Sequence, residues 1–162
     1  MKKKIFINKK NWHHKRVTDC EVFLKSFGNK QEVGPILNYL LFETNLKKIK
    51  KYIQSMQNNF LIIIKNKNTI LASTDKIRSF PLLYYYDKKK FFLFENYSLV
   101  RNLKLNNKIN KEQAMLFSLS GYTFTDETVY QNIKQLNQGT LLKYSNNKVS
   151  LHNYFTYNNK NQ

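Results

Sequence analysis

Apolar positions follow a helical period through much of the first third of the chain and a strand period from Phe60 onward. Residues 4–7 form a short apolar strand, and the polar stretch after it, Asn8 to Arg16, reads as a connection. "TDCEVFLKSF" then predicts a helix, with Thr18 or Asp19 as its N-cap, Glu21 in its first turn and Gly28 as its stop. A second helix covers Gln31 to Phe42, with Gly34-Pro35 in its first turn. Leu46, Ile49, Ile53 and Met56 recur at steps of three and four with lysines opposite, which predicts an amphipathic helix with a solvated lysine face. From Phe60, "FLIII", "TILAS", "PLLYYY" and "FFLFE" are separated by turns rich in Asn, Asp and Lys, the pattern of two successive hairpins. Asn110 caps a short helix, "KEQAMLFSL", with Gln113 in the capping-box position. An irregular segment then leads to a last hairpin, "TLLKY" and "KVSLHNYF", before a frayed tail at residues 158–162. With no internal repeat and no dividing linker, residues 1–157 read as one α+β domain.

Composition narrows the classes. The chain has 162 residues, enough for one domain with a real core, and 41% hydrophobic content, which excludes a disordered chain. Its formal charge of +18 invites a nucleic-acid or anionic-membrane reading. Only Arg16, Arg78 and Arg101 are arginines, however, and base-reading surfaces lean on arginine's planar fork. The lysines are scattered among 22 asparagines, and both residues have A/T-rich codons, so compositional bias accounts for the charge. Any nucleic-acid binding is expected to be weak, non-specific and steeply salt-dependent. The apolar part of "MKKKIFIN" is too short for a signal peptide, and the longest apolar run, Phe60 to Ile64, is a strand. The expected location is the cytoplasm.

Conventional catalytic constellations are nearly absent. His13-His14 lack the helical spacing of metal ligands, and no Cys or acid is placed to join them. Cys20, the single cysteine, sits inside an apolar pattern and reads as a small core residue. Four glycines cannot build a phosphate-cradling loop. Tyr84-Tyr85-Tyr86 could stack bases, but strand alternation assigns at least one face to the core. No metal and no cofactor are expected.

The order of segments carries a resemblance. Asn59-Phe60-Leu61-Ile62 is followed by Thr74-Asp75-Lys76-Ile77-Arg78-Ser79-Phe80-Pro81-Leu82-Leu83-Tyr84, then by Phe92-Leu93-Phe94-Glu95 with Leu99 behind it. "GYTFTDETVYQNI", Leu136-Asn137-Gln138-Gly139 and Tyr154-Phe155 come next, and Thr18-Asp19-Cys20-Glu21-Val22 lies upstream. Taken in this order they resemble the amino-terminal domain of asparagine synthetases. There the motifs run "S-D-T-E-V", "G-x-F-A-F", "R-D-R-x-G-x-x-P-L-Y-Y", "F-A-S-E-x-K-x-L", "L-x-P-G" and "Y-W".

The resemblance implies a class II glutamine amidotransferase of N-terminal-nucleophile-hydrolase type. Its fold is an antiparallel two-sheet sandwich with flanking helices (αββα), here complete or lacking its first strands. In that family a terminal cysteine supplies both thiol and base, whereas this chain reads Met1-Lys2-Lys3-Lys4. The segments that hold the glutamine carboxylate and form the oxyanion hole have no good match. Asn8 is the nearest remnant of the latter, and Asp19 falls where the family binds the glutamine α-amine. Asp75, Arg78 and Glu95 occupy the motif's acid and base positions, with the two acids expected near each other or near Arg78 and Arg101. The implied role is a degenerate glutaminase-like scaffold that docks on a separate ATP-dependent synthetase through Tyr122, Phe124, Tyr130 and Tyr157. The alternatives are a residual glutamine-dependent amidotransferase and a small basic nucleic-acid-associated protein.

Overall fold

The computed structural model describes residues 2–27, 30–87, 89–98, 105, 108–123 and 125–157. It divides into two compact units, each built from two stretches of chain. One comprises Met1–Ile7 and Pro81–Asn137, the other Asn8–Phe80 and Gln138–Gln162.

The second unit holds a six-stranded antiparallel sheet. Its strands are β2 (His13–Val17), β3 (Cys20–Ser26), β4 (Phe60–Lys65), β5 (Ile70–Thr74), β9 (Thr140–Ser145) and β10 (Lys148–Asn153). They lie in the order β10-β9-β5-β4-β3-β2. Helices α1 (Lys30–Phe42) and α2 (Leu46–Ser55) belong to the same unit. Val22 and Leu24 of β3 and Phe60, Ile62 and Ile64 of β4 meet Leu37, Leu40, Ile49 and Ile53 of the helices in one buried cluster. Asn45 caps α2 as its side chain accepts from the amides of Lys47 and Lys48. Helix α1 runs through Pro35 in its second turn, later than the first-turn position the sequence suggests.

Two expectations are corrected here. The segment after Thr18 is a strand and not a helix: Thr18-Asp19 is the turn of a hairpin in which Glu21 pairs with Arg16 on β2 and with Lys65 on β4. Val22, Phe23 and Leu24 are all buried, so β3 has no period-two pattern and mimics a helical run. The stretch before it is not a plain connection. It makes a 3-10 turn at Lys9–Asn11 and then β2, an edge strand whose charged residues mask its edge character.

The first unit holds a four-stranded sheet of order β1-β7-β6-β8, from β1 (Lys2–Phe6), β6 (Leu83–Tyr86), β7 (Lys90–Phe94) and β8 (Ile133–Gln135). β1 pairs with β7 in parallel and the remaining pairs are antiparallel. Leu83, Tyr85, Phe92, Phe94, Leu105 and Ile133 form its core, with Phe6 edge-on to Phe92. Tyr84 and Tyr85 are buried and Tyr86 is exposed, so the tyrosine run mostly serves packing. Helix α3 (Lys111–Ser120) starts at Asn110, whose side chain accepts from the amide of Gln113, and ends on Gly121 in the left-handed region at φ 77°. Asn110's own amide donates to the Val129 carbonyl at 3.0 Å. The chain is therefore α+β with two sheets, as the resemblance implies.

Candidate functional site

A tightly held polar group of the second unit is Asp75, 3% exposed at the end of β5. Its Oδ2 accepts from the amide of Phe60 at 3.0 Å. Its Oδ1 accepts from Ile77 at 2.9 Å, and the amide of Ser79 reaches both oxygens at 3.2 and 3.3 Å. The backbone of Asp75 is equally committed, donating to the Phe60 carbonyl at 3.1 Å and accepting from the Gly139 amide at 2.8 Å. Arg78 completes the turn in the left-handed region at φ 55°. Beside it, the hydroxyl of Tyr154 donates to the Thr74 carbonyl. Burial first pushes the Tyr154 phenol up; a bond from Ser73 opposes this and the charge of Asp75 adds to it.

A cavity of about 210 Å³ opens beside this turn, lined by Met56, Gln57, Asn58, Asn59, Phe60, Asp75, Lys76, Ile77 and Tyr157. It contains no thiol or aliphatic hydroxyl. With both carboxylate oxygens accepting from backbone amides, Asp75 organises the turn.

The other sequence-derived positions are dispersed. Asp19 is exposed in the β2–β3 turn. Asn8 is exposed and caps the 3-10 turn, its side chain accepting from the Lys10 amide at 3.3 Å. Neither lines the Asp75 cavity. No ion pair joins Asp75 to Arg78 among the described residues. Glu95 is half-buried just beyond β7 in the first unit, whereas Asp75 lies in the second. Tyr122 and Tyr157 are exposed, and Tyr130 is half-buried against the first unit's core. Phe124, Leu99, Arg101 and Gly28 lie outside the described residues.

Cys20 is half-buried, and burial followed by the charge of Glu21 pushes its thiol up. Glu21 itself moves the other way. Burial would raise it, but Lys65 at 3.1 Å, Arg16 at 3.5 Å and His14 at 4.0 Å together hold its carboxyl below the usual range. His14 also stacks on Phe23, with ring centroids 4.5 Å apart. Among the described residues no three His, Cys, Asp or Glu side chains gather as metal ligands.

Sequence reasoning missed a second polar cluster. In the first unit, Lys134 pairs with Glu127 and with Asp126 at 3.6 Å, and the Tyr84 hydroxyl lies 3.5 Å from Asp126. Burial first, then Asp126 and Glu127, push the Tyr84 phenol up. Next to it the buried Thr128 donates to the carbonyl of Ile133 at 2.8 Å and accepts from the amide of Tyr130 at 3.1 Å. The adjacent acids of "TDET" were the available signal, but nothing local says that Lys134 will face them.

The family model for a glutamine amidotransferase domain matches residues 3–155, nearly the whole chain and both units. The chain belongs to this family. Curated protein sequences give no match. Among solved structures, this amidotransferase domain is similar to an allosteric regulatory enzyme of purine biosynthesis, at 10% identity and a TM-score of 0.49, over 88% of this chain and 30% of that one. It is also similar to the glutamine phosphoribosylpyrophosphate amidotransferase of B. subtilis, at 11% identity and a TM-score of 0.43, over 88% of this chain and 31% of the other. The domain thus spans about a third of the length of these structures.

Proposed function

We propose that this amidotransferase domain is catalytically degenerate, of asparagine-synthetase type, and acts as a docking subunit for a separate ATP-dependent, amide-forming synthetase. The observation that carries this reading is the state of the only thiol. An activated cysteine has a lowered pKa beside positive charge. Cys20 is packed against the core at a hairpin turn, with its thiol pushed up. Strand β1, Lys-Lys-Lys-Ile-Phe, offers neither thiol nor hydroxyl. What the chain keeps of the family's motifs includes the buried, hydrogen-bonded Asp75 turn.

Docking is supported by α3 and the residues after it. Met115, Phe117, Leu119 and Tyr122 are 65%, 50%, 75% and 58% exposed, although each would gain from burial. Large apolar side chains that anchor interfaces account for such exposure, with Tyr122 at the edge of the patch. No described helix is long and apolar enough to cross a membrane, and the cytoplasm is the proposed location.

The test is ammonia release from glutamine by the purified chain, beside a Cys20→Ala variant. Equal, background rates are expected. Turnover that the substitution abolishes would make Cys20 a relocated nucleophile and replace this reading with an active amidotransferase.

A further inference from the structure

The lysine face of α2 has a feature that a merely solvated face lacks. Tyr39 of α1 and Tyr52 of α2 stack with ring centroids 4.0 Å apart and planes at 27°. Beside them lies an open cavity of about 280 Å³, lined by Tyr39, Lys48, Lys51, Tyr52 and Ser55. Lys47 and Lys51, four apart, and Lys48 and Lys51, three apart, project from one side of the helix. Lys48 lies 3.9 Å from Glu43. Among the described residues no acid pairs with Lys47, Lys50 or Lys51. Half-buried rings beside the ammonium groups of Lys51, which no acid pairs, and of Lys48, 3.9 Å from Glu43, suit a ligand with both anionic groups and flat faces. A lipid surface suits them less well, because the apolar face of α2, Ile49 and Ile53, is already buried in the unit's own core and has nothing to insert.

We propose that this face binds single-stranded nucleic acid, with phosphates on Lys48 and Lys51 and a base against the Tyr39–Tyr52 pair. This is an activity beyond synthetase docking and does not depend on it.

Titrating the full chain with a short fluorescein-labelled oligouridylate, in about 50 and about 200 mM salt, tests it. The Lys48→Glu/Lys51→Glu variant is expected to lose tenfold or more in affinity at the lower salt. Its log-log salt slope should flatten by about 1.4, at about 0.7 for each of two phosphates. Tyr52→Leu keeps the apolar packing and is expected to lose roughly tenfold with the slope unchanged, since base stacking is what it removes. Lys143→Glu/Lys148→Glu, on β9 and β10, removes the same charge elsewhere and should cost much less. Equal losses in the two charge variants would reduce the effect to net charge and overturn the proposal. So would full affinity in Tyr52→Leu, or tighter α2-dependent binding to phosphatidylserine vesicles than to the oligonucleotide. Should Tyr52→Leu fail to fold, Tyr39→Leu takes its place.

Discussion

Asp75 and Asp87 each close a turn with a carboxylate, and each does so at one end of a strand. Asp87 ends the β6 arm of the β6–β7 hairpin, and its Oδ1 accepts from the amides of Lys89 and Lys90, both at 2.6 Å. Its Oδ2 accepts from the Tyr85 hydroxyl at 2.6 Å. Every one of these partners lies within three residues. Asp75 also accepts from nearby amides, but one of its donors is Phe60 at the start of β4, and its carbonyl takes the amide of Gly139 from the far end of the chain. Two identical side chains therefore do unequal jobs. Asp87 shapes a local reversal that water can partly replace. Asp75, 3% exposed, joins three sequence-distant segments, and its loss leaves one buried and two partly buried donors unmatched.

The comparison breaks most visibly at Asp75. Asp75→Ala strips the acceptor from three amides, one fully buried and two partly so, and should destabilise the chain by about 4 kcal/mol at 1–3 kcal/mol for each orphaned donor. Asp75→Asn, which keeps one acceptor oxygen, should fall between that variant and the parent. Urea unfolding followed by circular dichroism measures both, and a cost for Asp75→Ala no greater than for Asp87→Ala would sink the distinction. Next is Gly139→Ala. At φ 57° a Cβ would stand 2.6 Å from the Phe155 carbonyl oxygen and 2.8 Å from the Phe155 Cβ. Left-handed strain and a backbone clash together should cost about 3 kcal/mol in the same experiment.

What was legible in the sequence follows the same local-versus-distant divide. Strands β4 to β7 and helices α2 and α3 declare themselves through turn residues, Asn caps and a clean period, all short-range signals. The hairpin β2–β3 does not. With Val22, Phe23 and Leu24 all buried, β3 carries no alternation, and its partner β4 lies far along the chain. The parallel pairing of β1 with β7 is hidden for the same reason. At the candidate site, Asp75 stood out as an isolated acid within an ordered set of motifs. That its oxygens would be filled by Phe60, Ile77 and Ser79 amides, and not by an arginine, depends on backbone placement that side-chain identities do not encode.

A gentler effect probes Asp87 through pH. Burial alone would raise its carboxyl, but the Tyr85 hydroxyl, the two backbone amides and the charge of Lys90 hold it below the usual value. A carboxyl whose folded pKa is depressed contributes stability above its unfolded pKa, about 3.9, and loses it as pH falls through the lower folded value. Asp87→Ala should therefore cost about 1 kcal/mol near neutrality, its partial solvation keeping the effect small, and the deficit should shrink below about pH 4. Tyr85 supplies the opposite limb. Burial, then the bond to Asp87 and its charge, push its phenol up to about 12. The unfolded chain ionises near 10, so stability falls between about pH 10 and about pH 12 as the folded state holds its proton longer. Tyrosinate absorbance during alkaline titration reads this directly, and Asp87→Ala should move the Tyr85 transition downward.

The smallest expected effect comes from the other acidic turn of the first unit. Lys134 meets Glu127 and Asp126 with about a third of each side chain exposed, at 31%, 30% and 31%. Ion pairs this open to water give up little when broken, because each partner is re-solvated and salt already screens the attraction. Lys134→Ala should cost less than about 1 kcal/mol, and the cost should shrink further in about 1 M salt. The Tyr84 phenol adds a second reading. Removing the lysine leaves the Asp126 and Glu127 charges less compensated, so Tyr84 should ionise at still higher pH. A loss approaching that of Asp75→Ala would mean that this cluster, like the Asp75 turn, ties distant segments together. A loss that salt erases would place it with Asp87 among the local features of the fold.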